Sequence, residues 1–165
     1  MSSTVPDRIE KQVVLHAPLS RVWQAITDSR QFGSWFGVTF DGPFVAGARI
    51  VGRISPTTVD PQVAAMQKPY EGRAFEITID RIDPETLFSF RWQPGAIDPD
   101  VDYSSEPDTL VEFRLQPVAD GVQLTVVESG FDRVPLSRRA AAFTMNEGGW
   151  SAQMMLIQKY LAKAS

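Results

Sequence analysis

Apolar residues recur at every second position through most of the chain and at every third or fourth position at its end. The first period is that of a half-buried strand, the second that of a helix packed on one face. Residues 9–16, IEKQVVLH, predict an opening strand with Val13 and Leu15 inward, ended by Ala17-Pro18. Leu19, Val22, Trp23 and Ile26 then follow helical spacing behind a proline well placed to start a helix. Asp28 or Ser29 is positioned to cap a second short helix running to about Trp35, and Val38–Phe40 reads as one further short strand. DGPFVAGA is turn chemistry, and residues 48–54 read as a strand. Residues 55–70 carry three prolines and predict a long loop.

Alternation resumes at residues 71–82, with Phe75, Ile77 and Ile79 on one side, and Asp83-Pro84-Glu85 makes a turn. TLFSFRW places Phe88, Phe90 and Trp92 on a common face. A second Pro- and Asp-rich loop spans 93–107. TLVEFRLQPV sets Val111, Phe113 and Leu115 inward, Ala119-Asp120-Gly121 turns a hairpin, and VQLTVVES returns with Val122, Leu124, Val126 and Glu128 on one face. Strands joined by short turns, with helices at both ends, predict an α+β domain built on an antiparallel sheet of six or seven strands. No internal repeat or linker interrupts residues 1–165, so one domain is expected.

The tail, residues 137–163, is a single amphipathic helix by pattern. Phe143, Trp150, Met154, Ile157 and Leu161 follow one another at intervals of 7, 4, 3 and 4. Gly148-Gly149 interrupts it, and a glycine costs about 1 kcal/mol relative to alanine inside a helix. A pair of them suggests that the helix passes close to something there or leaves space beside itself. With bulky rings around that gap, a cavity is expected beside Trp150, opposite Phe90, Trp92 and Phe113.

Composition narrows the chemistry. A net charge of −4 and no basic run longer than two give no general attraction to nucleic acid or anionic membrane. No apolar run approaches the roughly 20 residues of a membrane span, and the N-terminus lacks the apolar stretch of a signal peptide, so a cytoplasmic location is the default expectation. With no cysteine, disulfides and thiolate chemistry are excluded, and one histidine, His16, makes a His-based metal site or a Ser–His–Asp triad improbable. No cofactor and no metal is implied. Asp98, Asp100 and Asp102 alternate in a loop, but without the glycine and distal glutamate of a calcium loop they read as solvated.

Glu128 is the one candidate acid, base or ligand anchor. Strand parity puts it beside Leu124 and Val126, facing the helix. The bland alternative is that the strand frays at Ser129-Gly130 and leaves the carboxylate at a solvated rim or paired with an arginine. Arg73 is a conceivable partner by parity, Arg91 points to the outer face, and His16 reads as structural. Trp35, Phe36, Phe90, Trp92, Phe113, Phe131, Met145, Gly149, Trp150 and Met154, with Glu128, make up the expected cavity lining. Aromatic rings and Met suit a pocket of adaptable shape, and plain core packing is the alternative for each. Tyr70 and Tyr103, in the two long loops, are placed to gate a mouth or simply to be exposed.

Four segments carry a family resemblance: VVLHAPLSRVWQAITD, the WFG that follows, DRIDPETLFSFRW, and LTVVESGFD with EGGWSAQMMLIQKYL. Together they resemble the helix-grip, START-like (SRPBCC, birch-pollen-allergen-like) superfamily, in the branch of homologues of the activator of the heat-shock-protein ATPase (AHSA-type). The resemblance implies an antiparallel sheet wrapped around a long C-terminal helix with an apolar cavity between them. The loops 56–69 and 93–108 look longer than in the compact form of that branch, which would remodel the cavity mouth. The function expected is binding of a hydrophobic small molecule in that cavity. Two alternatives are an enzyme of cyclase, dehydratase or hydrolase type using Glu128, and a chaperone cofactor-like interaction module. A homodimer stays open.

Overall fold

The computed structural model describes residues 7–94 and 107–163. Asp98, Asp100, Asp102 and Tyr103, singled out above, lie outside the described residues. Strand β1 (Arg8–Leu15) leads into helices α1 (Leu19–Thr27) and α2 (Ser29–Phe36). Strands β2 (Val38–Phe40) and β3 (Arg49–Ile54) follow, then helix α3 (Pro61–Gln67) with a 3-10 turn at Lys68–Tyr70. Strands β4 (Ala74–Asp83), β5 (Leu87–Trp92), β6 (Thr109–Val118) and β7 (Gly121–Ser129) precede a 3-10 turn at Phe131–Arg133 and helix α4 (Leu136–Lys163).

The seven strands form one sheet in the order β1-β7-β6-β5-β4-β3-β2, every neighbouring pair antiparallel. Consecutive strands from β2 to β7 are neighbours, joined by tight turns at β4–β5 and β6–β7 and by longer connections elsewhere, with α3 between β3 and β4, while β1 closes onto β7. The β6–β7 hairpin pairs Val118 with Gly121, leaving Ala119-Asp120 as its two-residue loop. Gly121 is required there: its φ is 151°, and a Cβ would sit 2.1 Å from the Leu15 carbonyl oxygen.

One side of the sheet faces the helices. Ile77, Ile79, Phe88, Phe90, Val111, Phe113, Leu124 and Val126 are buried there against Val22, Ile26 and Phe32 of the first two helices and Trp150, Leu156 and Ile157 of α4. Phe32 is the centre of the aromatic core, with ring centroids 4.8–6.5 Å from seven neighbours that include Trp35, Phe88 and Phe113. The other side carries exposed ion pairs such as Arg49–Glu76, Arg81–Asp83 and Arg114–Glu112. Exposed pairs of this kind contribute little to stability.

The segment read as a loop at 55–70 contains helix α3. Its prolines misled: Pro61 occupies the first helical turn, where a missing N–H costs nothing. Asp60 caps this helix, accepting from Gln62 N at 2.8 Å and Val63 N at 3.0 Å, and it also receives Lys159 Nζ of α4 at 2.5 Å. The Lys159 hydrogen bond, helped by those of the helix N–H groups, holds the Asp60 carboxyl below its ordinary value of 3.8. Gln67, at the other end of α3, donates to the Phe36 carbonyl at 3.1 Å and accepts from Thr57 N at 2.8 Å. The segment is therefore tied to both α2 and α4. No helix among the described residues is long and apolar enough to cross a membrane.

Candidate functional site

Three adjacent strands place three polar side chains in a row on the helix-facing side. Trp92 of β5 is paired with Thr109 of β6, and Glu128 of β7 is paired with Val111, two residues further along β6. Across from them α4 presents Asn146 and Trp150, one turn apart and so on one face. Glu128 Oε1 accepts from Trp150 Nε1 at 2.8 Å and Asn146 Nδ2 at 2.9 Å. Oε2 accepts from Trp92 Nε1 at 2.8 Å, from Thr109 Oγ1 at 2.5 Å, and from Asn146 Nδ2 at 3.1 Å.

Glu128 and Thr109 are both 0% exposed. A carboxylate offers about four acceptor positions, and here they are filled by four side chains. All four donors are neutral. A buried carboxylate without such partners is untenable, and each donor withdrawn would cost on the order of 1–3 kcal/mol. The expectation of a fraying strand and a solvated or Arg-paired Glu128 is corrected on both counts. The β1 and β6 ladders hold β7 through Ser129, opposite Arg8 and Leu110, so the strand does not fray before Glu128. Arg73 lies at the head of β4, three strands from β7 and so roughly 14 Å away. Its guanidinium packs 4.9 Å from the centroid of the Tyr70 ring.

Directly above this network is a pocket of about 160 Å³. Its aromatic walls are Phe36, Trp92 and Trp150, with centroids 5.8–6.2 Å apart pairwise. Met145 and Gly149 of α4 form one lip, and Asn146 and Gln153 add amide groups. A Cβ built on Gly149 would meet nothing within 4 Å, so the glycine leaves space rather than admitting a close neighbour. Gly148 likewise meets nothing and is exposed, outside the pocket. The volume is close to the roughly 150 Å³ of an engineered apolar cavity that binds benzene.

The Phe36 carbonyl ends α2 and has no partner within that helix. Two side-chain amides satisfy it, Gln67 Nε2 and Gln153 Nε2, each at 3.1 Å. Gln153 Oε1 is thereby left buried with no hydrogen-bond partner.

Of the residues expected to line a cavity, the structure brings Phe36, Trp92, Met145, Gly149 and Trp150 to the pocket, with Glu128 beneath them. The others do not line it. Phe90 and Phe113 are fully buried one layer below, 5.2 Å from Trp92 and 5.7 Å from Trp150 respectively. Trp35 is also buried and donates its indole N–H to the Ala25 carbonyl at 2.9 Å, locking α2 to α1. Phe131 stacks edge-on with Phe143 at 5.2 Å near the start of α4. Met154 is one helical turn past Trp150 and is buried in the core. Arg91 faces outward, 3.6 Å from Asp108. His16 Nδ1 donates to the Asp120 carbonyl at 3.0 Å at the hairpin end.

Asn146, Thr109 and Gln153 were missed. The signal for Asn146 was its spacing of four from Trp150, and for Thr109 its parity with Val111 and Phe113. Nothing local marked Gln153, because its partner, Phe36, is 117 residues away in the chain.

The family described as Activator of Hsp90 ATPase homolog 1-like protein matches residues 16–162. No curated protein matches the chain. Among solved structures, DynU16, a protein of the dynemicin biosynthetic locus, is 25% identical with a TM-score of 0.67. That similarity covers 98% of this chain and 49% of DynU16, so the chain spans about half its length. MLL2253 from Mesorhizobium loti is 19% identical, with a TM-score of 0.69 over 96% of this chain and 98% of its own. NE0264 from Nitrosomonas europaea is 14% identical, with a TM-score of 0.69 over 99% and 100%. These similarities establish the helix-grip, START-like fold.

Proposed function

The chain belongs to the Activator of Hsp90 ATPase homolog 1-like family, and on that premise we propose that it binds a hydrophobic small molecule in the pocket between β5 and α4. Proteins of this fold often bind hydrophobic ligands, though a fold by itself does not assign a role. The observation that carries the reading is the space opened by Gly149 in front of Phe36, Trp92 and Trp150. Three aromatic rings around an unfilled space, beside a helix that gave up stability at Gly149, are better explained by an occupant than by packing.

Glu128 serves this reading as a clamp. Its oxygens are already occupied, and it reaches the pocket only through Trp92, Asn146 and Trp150, which it holds in place. An acid or base must be able to contact its substrate, and here the donors stand between.

Titration with a neutral polarity-sensitive dye tests the proposal. The wild type is expected to show saturable fluorescence with one dye per chain. Gly149→Leu is expected to fill the space and abolish binding while the circular dichroism spectrum is unchanged. Equal binding by both proteins would place the dye elsewhere and refute this site.

A further inference from the structure

Glu128 carries a buried charge that no cation in the fold neutralises. Its four partners, the Trp92 and Trp150 indoles, the Asn146 amide and the Thr109 hydroxyl, are all neutral, and it makes no ion pair among the described residues. Hydrogen bonds spread that charge over the donors without cancelling it. Two of those donors are walls of the pocket. The N–H edges of Trp92 and Trp150 are turned to the carboxylate beneath, so the pocket meets the carbon surfaces of both rings. With Phe36 they make three rings inclined at 31–61° to one another, and no basic side chain lines the space they border. An indole that donates to a carboxylate is polarised so that its ring becomes more electron-rich. Ring faces are negative already, and the charge behind two of them acts in the same direction, so both favour a cation in the pocket.

We propose that the pocket takes the quaternary ammonium group of a small molecule, a trimethylammonium head, with Phe36, Trp92 and Trp150 as its cage and Glu128 as the charge behind two of the walls. This rests on the binding reading above and names the class of ligand. A primary ammonium carries three N–H donors that need acceptors once water is removed, and the lining holds no carboxylate and no hydroxyl. A quaternary ammonium has no N–H to satisfy. Its charge is spread over methyl groups, which pack on aromatic carbon as an apolar ligand does. A carboxylate in the same place would lie against the ring faces and over the charge of Glu128. Gly149 and Met145 are exposed at the lip, so the chain attached to the nitrogen can extend into solvent.

Three probes of matched shape test this in calorimetric titrations at neutral pH: choline, its uncharged isostere 3,3-dimethylbutan-1-ol, and the anion 3,3-dimethylbutanoate. Proton–nitrogen correlation NMR reports binding at the site through the indole N–H resonances of Trp92 and Trp150. Choline is expected to bind at least about 10-fold tighter than the alcohol, as cation–π contact with a charge close behind it supplies, with the anion weakest. Phe36→Leu removes one ring and leaves every donor to Glu128 in place. It is expected to cut the preference for choline over the alcohol by about 3-fold or more, while the affinity for the alcohol itself changes by less than about 2-fold. If the alcohol binds the wild type as tightly as choline, or the anion binds comparably, the charge selection is refuted while the pocket stands. The same holds if the neutral dye binds in the Gly149-dependent way described above and choline does not bind. If neither the dye nor any probe binds, the pocket reading fails with it. The wild-type comparison decides even if Phe36→Leu does not fold.

Discussion

Trp150 Nε1 donates to Glu128 Oε1 across 2.8 Å, joining the middle of α4 to the β7 strand inside the protein. That bond is one of a set that fills both carboxylate oxygens from four neutral donors. Glu128→Gln keeps the shape but turns an NH₂ group toward N–H and O–H donors, of which only the Thr109 hydroxyl has a second acceptor, the Trp92 carbonyl at 3.5 Å. We expect it to lower unfolding free energy by about 2–4 kcal/mol, more than an isosteric change elsewhere on β7. Urea unfolding followed by tryptophan fluorescence measures this. A change under about 0.5 kcal/mol would show that the network contributes little.

Gly148 and Gly149 are adjacent but separable. Both have open space at the Cβ position, yet only Gly149 lines the pocket. Gly148→Ala should stabilise the protein by up to about 1 kcal/mol, since a helical glycine is replaced without a clash. It should leave dye binding intact, in contrast to Gly149→Leu. Denaturant midpoints and dye affinity measured on the two variants separate helix propensity from cavity filling.

Gly37 ends α2 with φ at 97°, and a Cβ there would fall 2.4 Å from Gln67 Nε2. Gly37→Ala should cost more than about 1 kcal/mol through both strain and that collision. Gln67→Ala removes the colliding group and also the bond to the Phe36 carbonyl. The double variant should be less destabilised than the sum of the singles. Additive effects in a double-mutant cycle would mean that backbone strain alone accounts for the loss.

Asp60 sets an acid limit on the tie between α3 and α4. Its carboxyl titrates below the ordinary value of 3.8, chiefly through the Lys159 hydrogen bond. A depressed folded-state value means stabilisation that is complete above the unfolded value and is lost as pH falls through the folded one. Asp60→Asn retains a good helix cap and removes the charge. The gap in Tm between wild type and Asp60→Asn should hold constant from about pH 7 to about pH 5, narrow below about pH 4 and close once the pH has fallen through the depressed folded-state value. A gap that persists undiminished in acid would assign the effect to the cap alone.

Much of the fold is legible in the chain because strand and helix periods are local. The alternation in TLVEFRLQPV and VQLTVVES predicts β6 and β7, and parity alone turns Glu128 toward the helix. The tail's spacing predicts α4, whose Trp150, Met154, Ile157 and Leu161 are buried. Both glycines are exposed with open space at the Cβ position, and local pattern cannot say that Gly149 borders the pocket while Gly148 does not. Where local cues conflict, the reading failed: three prolines concealed α3, because only the capping carboxylate of Asp60 and the Lys159 contact show that Pro61 begins a helix.

What tertiary structure alone decided is which side chains meet. Phe90 and Phe113 share a face with Trp92 in pattern, but packing sends them one layer beneath the pocket. Parity says only that Glu128 points inward; whether it meets solvent, an arginine or neutral donors depends on which residues β5, β6 and α4 bring within 3 Å. The orientations of Asn146 and Gln153 are set the same way, by acceptors 18 and 117 residues distant in sequence. Periodicity carries the direction of a side chain, while the partner at its end is chosen by chain segments that no local pattern relates.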